Sequence, residues 1–172
     1  MKVPFVDLTA QCISIKDEID VAIHSVIDKT AFVRGEYVTQ FEEEFALSFE
    51  VPHCVSCANG TDALYLALKA LDIGPGDEVI TTAVSWISTS QTISQVGASV
   101  VFVDIEPDYF TIDPSKIEEK ITDRTRAIIP VHLYGQPAEM DSIMAIAKEY
   151  GLAVIEDCAQ AHYSEYQGRK VG

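Results

Sequence analysis

Hydrophobic and polar positions follow two alternating arrangements along most of the chain. Between residues 53 and 157, short runs of consecutive apolar residues alternate with segments in which apolar residues recur every three or four positions. Continuous apolar runs are typical of strands that are buried on both faces, and the second spacing is typical of helices that pack by one face. The alternation predicts an α/β domain with a mostly parallel sheet and helices on both faces.

The pattern predicts five strands and four helices in this part of the chain. The strands are predicted at residues 53–57, 78–83, 99–104, 126–133 and 152–157, and the helices at 61–73, 88–97, 113–121 and 139–150. Leu64, Leu68 and Leu71 share one face of the first of these helices. Asp113 is expected to cap the third helix and Gly151 to end the fourth.

Two helices are expected to precede the alternating part. Residues 11–27 carry apolar side chains at helical spacing, and a second segment carries Val38, Phe41, Phe45 and Phe49 along one stripe. We therefore divide the chain into residues 1–50, which hold the leading helices, and residues 51–172, which form the α/β core.

Composition restricts the possible partners. The 172 residues include 48% hydrophobic residues, and the formal net charge is −15. Such an acidic surface repels phosphate backbones, so no nucleic-acid partner is expected. No apolar run is long enough for a bilayer, and the first residues do not resemble a signal peptide, so we expect no membrane partner and a cytoplasmic location.

Cysteine spacing raises the question of a metal or redox site. Cys54 and Cys57 form a C-x-x-C pair, which suits a zinc half-site, a redox pair or two small buried hydrophobic residues. No second C-x-x-C or H-x-x-x-H follows, and the pair lies on a predicted strand. We favour the buried residues and expect no metal site; a metal-dependent enzyme that uses Cys54, Cys57 and His132 ranks last.

Distinctive residues gather just after the predicted strands, where ligands bind in open parallel sheets. Asn59 and Gly60 form a turn before a helix that Thr61 could cap. This pattern suits an ordinary capped helix or an anion site made by the helix dipole and free N–H groups. Trp86, the only tryptophan, could pack in the core or stack on a flat ligand.

Asp157 ends the last predicted strand, where a carboxylate is costly unless it is exposed or paired. It could cap a helix, bind a metal or pair with a cationic heterocycle. His132 and His162 do not have the spacing of a compact metal motif, and His132 is better explained as a hydrogen-bonded rim or core histidine. An anion site, an aromatic platform and an acid together suit pyridoxal phosphate, which is planar, phosphorylated and protonated.

The chain resembles the DegT/DnrJ/StrS sugar-nucleotide aminotransferases, which are fold-type I pyridoxal-phosphate enzymes. The resemblance runs nearly end to end and rests above all on "NGTDAL", "HLYGQ" and "EDCAQAH" at these separations. It implies that the chain is part of the large domain of such an enzyme. It also implies transfer of an amino group, usually from glutamate, to a keto-sugar nucleotide by a homodimer.

Residue roles follow from the same resemblance. Gly60 and Thr61 would hold the cofactor phosphate, Trp86 would stack on the pyridine ring, and Asp157 would pair with the ring nitrogen. Gln160 would bind the phenolic oxygen. Glu156 is expected to point the other way and to have no role in the chemistry.

The resemblance also implies that the catalytic lysine lies beyond Gly172. In the family it stands in a motif like "S-F-x-x-x-K-x-L", and none of the eight lysines here has that context. We therefore assign no catalytic residue and expect an incomplete, N-terminal part that is inactive alone. A deoxysugar dehydratase, in which histidine replaces the lysine, and a non-catalytic binding or scaffold fragment stay open as alternatives.

Overall fold

A computed structural model of the chain describes residues 3–172. It divides into two compact units, Met1–Ser56 and Cys57–Gly172. The first unit contains three helices: α1 (Leu8–Ser14), α2 (Lys16–Asp28) and α3 (Glu36–Ser48). The second contains the helices α4 (Gly60–Ala70), α5 (Ile87–Gln95) and α6 (Met140–Tyr150), together with all the described strands.

The first unit departs from the predicted pattern at one point. The single helix predicted over residues 11–27 is two helices, because the backbone leaves helical geometry at Ile15. The Asp7 carboxylate accepts a hydrogen bond from the Ala10 N–H, so α1 starts at Leu8, three residues before the apolar pattern predicts a helix. No residue of α1 or α2 is buried, so these helices keep much of their apolar surface exposed.

The second unit is built on a four-stranded parallel sheet. Its strands are β1 (Glu78–Thr82), β2 (Ser99–Val103), β3 (Thr125–Ile129) and β4 (Ala153–Val154), in the spatial order β2-β1-β3-β4. A separate antiparallel hairpin follows, formed by β5 (Glu165–Tyr166) and β6 (Arg169–Lys170). The predicted α/β class is confirmed.

Both faces of the sheet are covered. On one face, Val79, Ala127 and Ile129 pack with residues of α4 and α5. On the other, Ile80 and Ile128 pack with residues of α6. Consecutive strand residues therefore enter different cores, which explains why the strand sequences are apolar without alternation.

Several predicted elements are shorter than expected or absent. Residues 53–57 do not form a strand. β3 ends before Pro130, which has no N–H to donate, and the last strand is reduced to β4. Residues 113–121 form two 3₁₀ turns instead of one α-helix, although Asp113 does cap the first by accepting from the Ser115 N–H.

The ends of two helices are confirmed. Gly151 ends α6 with a left-handed backbone at φ 67°, where glycine meets no steric penalty. Gly97 follows α5 with φ 89°. Within residues 3–172, none of the helices has the length and apolar character needed to cross a membrane.

Candidate functional site

The first turn of α5 is the centre of the site. Trp86 is the N-cap residue of this helix, and its side chain is 75% exposed. Ser85 and Thr89 join their hydroxyl groups at 2.8 Å across the turn, which fixes the entry of the chain into the helix. Because Trp86 is exposed, the alternative that it packs in the core is wrong, and its ring offers a flat surface to a ligand.

The start of α4 meets this turn. Thr61 Oγ1 lies 2.8 Å from Ser88 Oγ, so the first residues of two helices are joined by their hydroxyl groups. Thr61 was expected to be able to cap α4, but Asn59 is the cap: its side chain accepts from the Asp62 N–H at 2.9 Å. A Cβ added at Gly60 would meet nothing within 4 Å, so an anion can approach the helix start there.

Asp157 meets the same turn from the other side. It is 8% exposed, and its Oδ2 accepts a hydrogen bond from Thr89 Oγ1 at 2.8 Å. Its Oδ1 accepts from the Ala159 N–H at 3.2 Å. The carboxylate is held by two donors, which satisfies the requirement for a partner that burial imposes. Asp157 is not the N-cap of a described α-helix, which removes one of its three alternatives.

Gln160 lies on the segment that follows Asp157. Its side-chain oxygen accepts from the Tyr134 N–H at 3.0 Å, although the two residues are far apart in the sequence. Tyr134 has a left-handed backbone at φ 54° and an exposed side chain. The segment after β3 therefore holds the position of Gln160 by a backbone group.

Glu156 and Asp157 have different surroundings, as the sequence predicts for adjacent residues of an extended segment. The Glu156 carboxylate contacts His132 Nε2 at 2.9 Å and accepts from the Gly172 N–H at 3.1 Å. Burial opposes ionisation of Glu156, yet the hydrogen bonds from His132 and Gly172 hold the pKa of its carboxyl below the usual value. His132 is fully buried and hydrogen-bonded, which confirms the prediction of a hydrogen-bonded rim or core histidine.

Metal ligation has one candidate group within residues 3–172. His132, Glu156 and Cys158 place their ligand atoms within 4.8 Å of one another, and this group includes neither Cys54 nor Cys57. Burial and the nearby carboxylates of Glu156 and Asp157 raise the pKa of the Cys158 thiol to about 12. A thiol is a metal ligand in its deprotonated form, so this group is a poor site.

The expectation that Cys54 and Cys57 are buried is wrong. Cys12 and Cys57 are exposed, and Cys54 and Cys158 are half-buried. The Cys57 thiol donates to the Asn59 carbonyl oxygen at 3.3 Å, just before α4. Cys57 therefore lies in an irregular segment before α4 and not on a strand.

Sequence reasoning did not identify three contributors to the site. They are Ser88, Thr89 and the backbone N–H of Tyr134, which contact Thr61, Asp157 and Gln160 respectively. The run of hydroxyl residues in "SWISTS", directly after a buried strand, is the one signal that points to the first two. A backbone donor leaves no signal of its own in the sequence.

Comparison with known proteins gives one family. The model of the DegT/DnrJ/EryC1/StrS aminotransferase family matches residues 13–172. A pleiotropic regulatory protein of Geobacillus stearothermophilus is 48% identical over the whole chain and 46% of its own length. The UDP-2-acetamido-2-deoxy-3-oxo-D-glucuronate aminotransferase of Pseudomonas aeruginosa is 46% identical over 98% of the chain and 47% of its own length.

Similar solved structures include enzymes with related names. DesV of Streptomyces venezuelae, solved in complex with a ketimine intermediate, is 45% identical, with a TM-score of 0.97 over 99% of this chain and 46% of its own. A GDP-4-keto-6-deoxymannose-3-dehydratase with a trapped PLP-glutamate geminal diamine is 35% identical, with a TM-score of 0.82 over 88% of this chain and 41% of its own. The chain spans about half the length of the curated relatives it matches.

Proposed function

The chain belongs to the DegT/DnrJ/EryC1/StrS aminotransferase family, and on this basis we propose that residues 57–172 form the pyridoxal-phosphate-binding surface of a sugar-nucleotide aminotransferase. One observation carries the proposal. The first turn of α5 joins an open helix start, through Ser88 and Thr61, to a buried carboxylate, through Thr89 and Asp157. The exposed ring of Trp86 stands on the same turn.

These residues fit the three parts of the cofactor. The N–H groups at the start of α4, with Gly60 and the Thr61 hydroxyl, would hold the phosphate, and the helix dipole favours its charge. This local geometry would work against the acidic field of a chain with net charge −15. Trp86 would stack on the ring, and Gln160 would bind its phenolic oxygen.

Asp157 would set the electronic state of the ring. Its carboxylate, oriented by Thr89 and Ala159, would keep a proton on the ring nitrogen. When bound, pyridoxal phosphate supplies an electron sink for the carbon from which a proton is removed. The residues of this chain would bind and orient the ring, and the proton transfer at the substrate carbon needs a base that we do not assign to any of them.

The finer parts of the proposal concern substrates and assembly. The acceptor would be a nucleotide-linked keto-sugar and the amino donor glutamate, in deoxyaminosugar or surface-polysaccharide biosynthesis. The names of the aminotransferase from P. aeruginosa and of the PLP-glutamate complex support these choices. The active assembly would be a homodimer in the cytoplasm.

A dehydratase of the same superfamily is the second candidate, because two structural neighbours with a TM-score of 0.82 carry that name. The two activities differ in their products. An aminotransferase product gains nitrogen, whereas a dehydratase product loses a hydroxyl group. Mass spectrometry of a keto-sugar nucleotide, after incubation with glutamate and the full polypeptide that contains these residues, would distinguish them.

Binding of pyridoxamine phosphate tests the cofactor site directly, because this amine form needs no covalent bond to the protein. We expect saturable quenching of the fluorescence of Trp86, the only tryptophan in the chain. Pyridoxamine without phosphate should bind at least about tenfold more weakly, because hydrogen bonds to the charged phosphate are lost. Equal affinity for the two ligands, or no quenching, would contradict the proposed site.

Self-association tests the assembly. The first unit exposes apolar side chains such as Val21 and Ile23 on α2, and covering such surface favours association. We expect the 18.9 kDa chain to sediment as a larger species as its concentration rises. Added salt should strengthen the association by screening the negative charge. Val21→Glu should weaken it, whereas Gln95→Glu adds the same charge at an exposed position of α5 in the second unit and should not; a monomer at every concentration would refute the expectation.

A further inference from the structure

His132 connects the two segments that carry the ring-facing groups. It is fully buried, and both nitrogens of its ring have a partner. Nδ1 lies 3.0 Å from the Ala138 N–H, which can only donate, so Nδ1 is the accepting nitrogen. Nε2 then carries the proton and donates it to Glu156 Oε2 at 2.9 Å. The ring is therefore fixed in one tautomer and one orientation.

The same two segments are joined by backbone hydrogen bonds at Asp157. The Asp157 N–H donates to the Pro130 carbonyl at 2.9 Å, and the His132 N–H donates to the Asp157 carbonyl at 3.1 Å. Two residues further along, the Tyr134 N–H donates to the side chain of Gln160. The segment after β3 thus contacts both Asp157 and Gln160, and His132 is its buried anchor.

Glu156 connects this anchor to a third segment. Its Oε2 accepts from His132 and also from the Gly172 N–H, so one oxygen atom joins the segment after β3 to the residues after β6. Asp157 is the next residue, and its carboxylate lies in the different environment of Thr89 and Ala159. Any twist of the backbone that released Glu156 would also turn Asp157.

We propose that Glu156 and His132 are positioning residues, which hold Asp157 and Gln160 in the orientation that a pyridine ring requires. The inference rests on the proposed cofactor site and extends it to two residues that do not touch the ring. Glu156 acts through His132 and through its own backbone, and His132 acts through the segment that binds Gln160. The role earlier denied to Glu156 is thus an indirect one.

The first test uses the ligand-free chain. Glu156→Ala removes both hydrogen bonds at Oε2, whereas Glu156→Gln keeps an oxygen atom that can accept both. We expect the amide of Tyr134, which is protected by Gln160, to exchange with solvent at least about tenfold faster in Glu156→Ala. Exchange in Glu156→Gln should stay close to that of the original chain.

Glu106→Ala is the matched control for this test. Glu106 also accepts two hydrogen bonds, from the Asp108 and Tyr109 N–H groups, but it follows β2, the outer strand opposite β4. Its loss should leave the exchange of Tyr134 unchanged. Equal acceleration in Glu106→Ala and Glu156→Ala would overturn the proposal, because the effect would then be a general loss of stability.

The second test compares two ligands that differ only at the ring nitrogen: pyridoxamine phosphate and its 1-deaza analogue, which has carbon at that position. The ratio of their affinities measures the contact with Asp157, since the phosphate is common to both. We expect Glu156→Ala to reduce the ratio by about tenfold, and Glu156→Gln to restore it. An unchanged ratio in Glu156→Ala would refute the positioning role.

The two tests separate this proposal from the proposed function. If the original chain binds neither ligand, the cofactor site is wrong, and so is a positioning role toward a ring. The hydrogen-exchange result would still report whether Glu156 holds the segment of Tyr134. If the original chain binds pyridoxamine phosphate and only the Glu156 effects are missing, the cofactor site stands and the positioning role fails.

Discussion

Replacement of Asp157 by asparagine is expected to weaken the binding of pyridoxamine phosphate by at least about 30-fold. Truncating one member of a buried, hydrogen-bonded charge pair costs about 2–5 kcal/mol, and every 1.4 kcal/mol is a factor of ten. Asparagine keeps the size of the side chain, and its oxygen can still accept from Thr89 or Ala159. The change therefore removes the negative charge while it disturbs the fold as little as possible.

The measurement is the same quenching of Trp86, repeated with the 1-deaza analogue. Binding of that analogue should hardly change, because it has no ring nitrogen for Asp157 to pair with. Amino transfer by the full polypeptide that carries Asp157→Asn should fall at least as far as binding does, since the electron sink depends on the ring proton.

Asp104→Asn is the control for charge. Asp104 follows β2 at the same edge of the sheet, and its side chain is exposed beside Lys116. The substitution removes one negative charge from the same chain, so a long-range electrostatic effect would appear equally in both variants. Similar affinities for Asp157→Asn and the original chain would remove the proposed role of Asp157.

The sequence was sufficient to predict which groups stand at the edge of the sheet. Apolar runs mark the strands, and parallel strands bring their carboxyl ends to one edge. The position of Asp157 after the last run therefore placed it correctly, and so did the position of Trp86 after β1. The start of α4 was located within a residue by the turn at Asn59 and Gly60.

What the sequence could not predict are the pairs that join distant segments. Thr89 and Asp157 are 68 positions apart, and Tyr134 and Gln160 are 26 apart. Such pairs depend on the register of β1, β3 and β4 and on the exact start of α5, and a pattern of apolar residues does not determine these. The contact of Glu156 with His132 was missed for the same reason.

Errors in the predicted elements have local causes. Residues 53–57 have the apolar and cysteine content of a strand, but no neighbouring strand pairs with them. Leu71 follows the helical spacing of Leu64 and Leu68, yet α4 ends at Ala70, and Leu71 is 46% exposed. Periodicity predicts a face, but the end of the helix decides which residues belong to it.

Leu68→Ala is expected to cause the largest loss of stability that we predict. Leu68 is fully buried among residues of α4, α5 and the sheet, where removal of one methine and two methyl carbons leaves a cavity. Leucine-to-alanine changes at such positions cost about 2–5 kcal/mol. Against a typical total of about 5–15 kcal/mol, this is a large fraction of the free energy of unfolding.

Leu66→Ala is the matched control, because it is the same substitution on the same helix. Leu66 is 51% exposed, so its loss leaves no closed cavity, and alanine has the higher helix propensity. We expect a change within about 0.5 kcal/mol. Urea unfolding followed by circular dichroism measures the free energy of unfolding of both variants. In thermal unfolding, the melting temperature of Leu68→Ala should fall by roughly 5–15 °C.

The comparison of Leu68→Ala with Leu66→Ala also tests the site. Gly60 and Thr61 lie at the start of α4, and Leu68 packs this helix against the sheet. If the packing of Leu68 sets the position of the helix start, Leu68→Ala should weaken the binding of pyridoxamine phosphate more than the binding of pyridoxamine. This should hold even at temperatures where the variant is folded. Leu66→Ala should weaken the binding of neither ligand. Equal losses of stability in the two variants would mean that α4 does not pack as described, and the phosphate site would then lose its support.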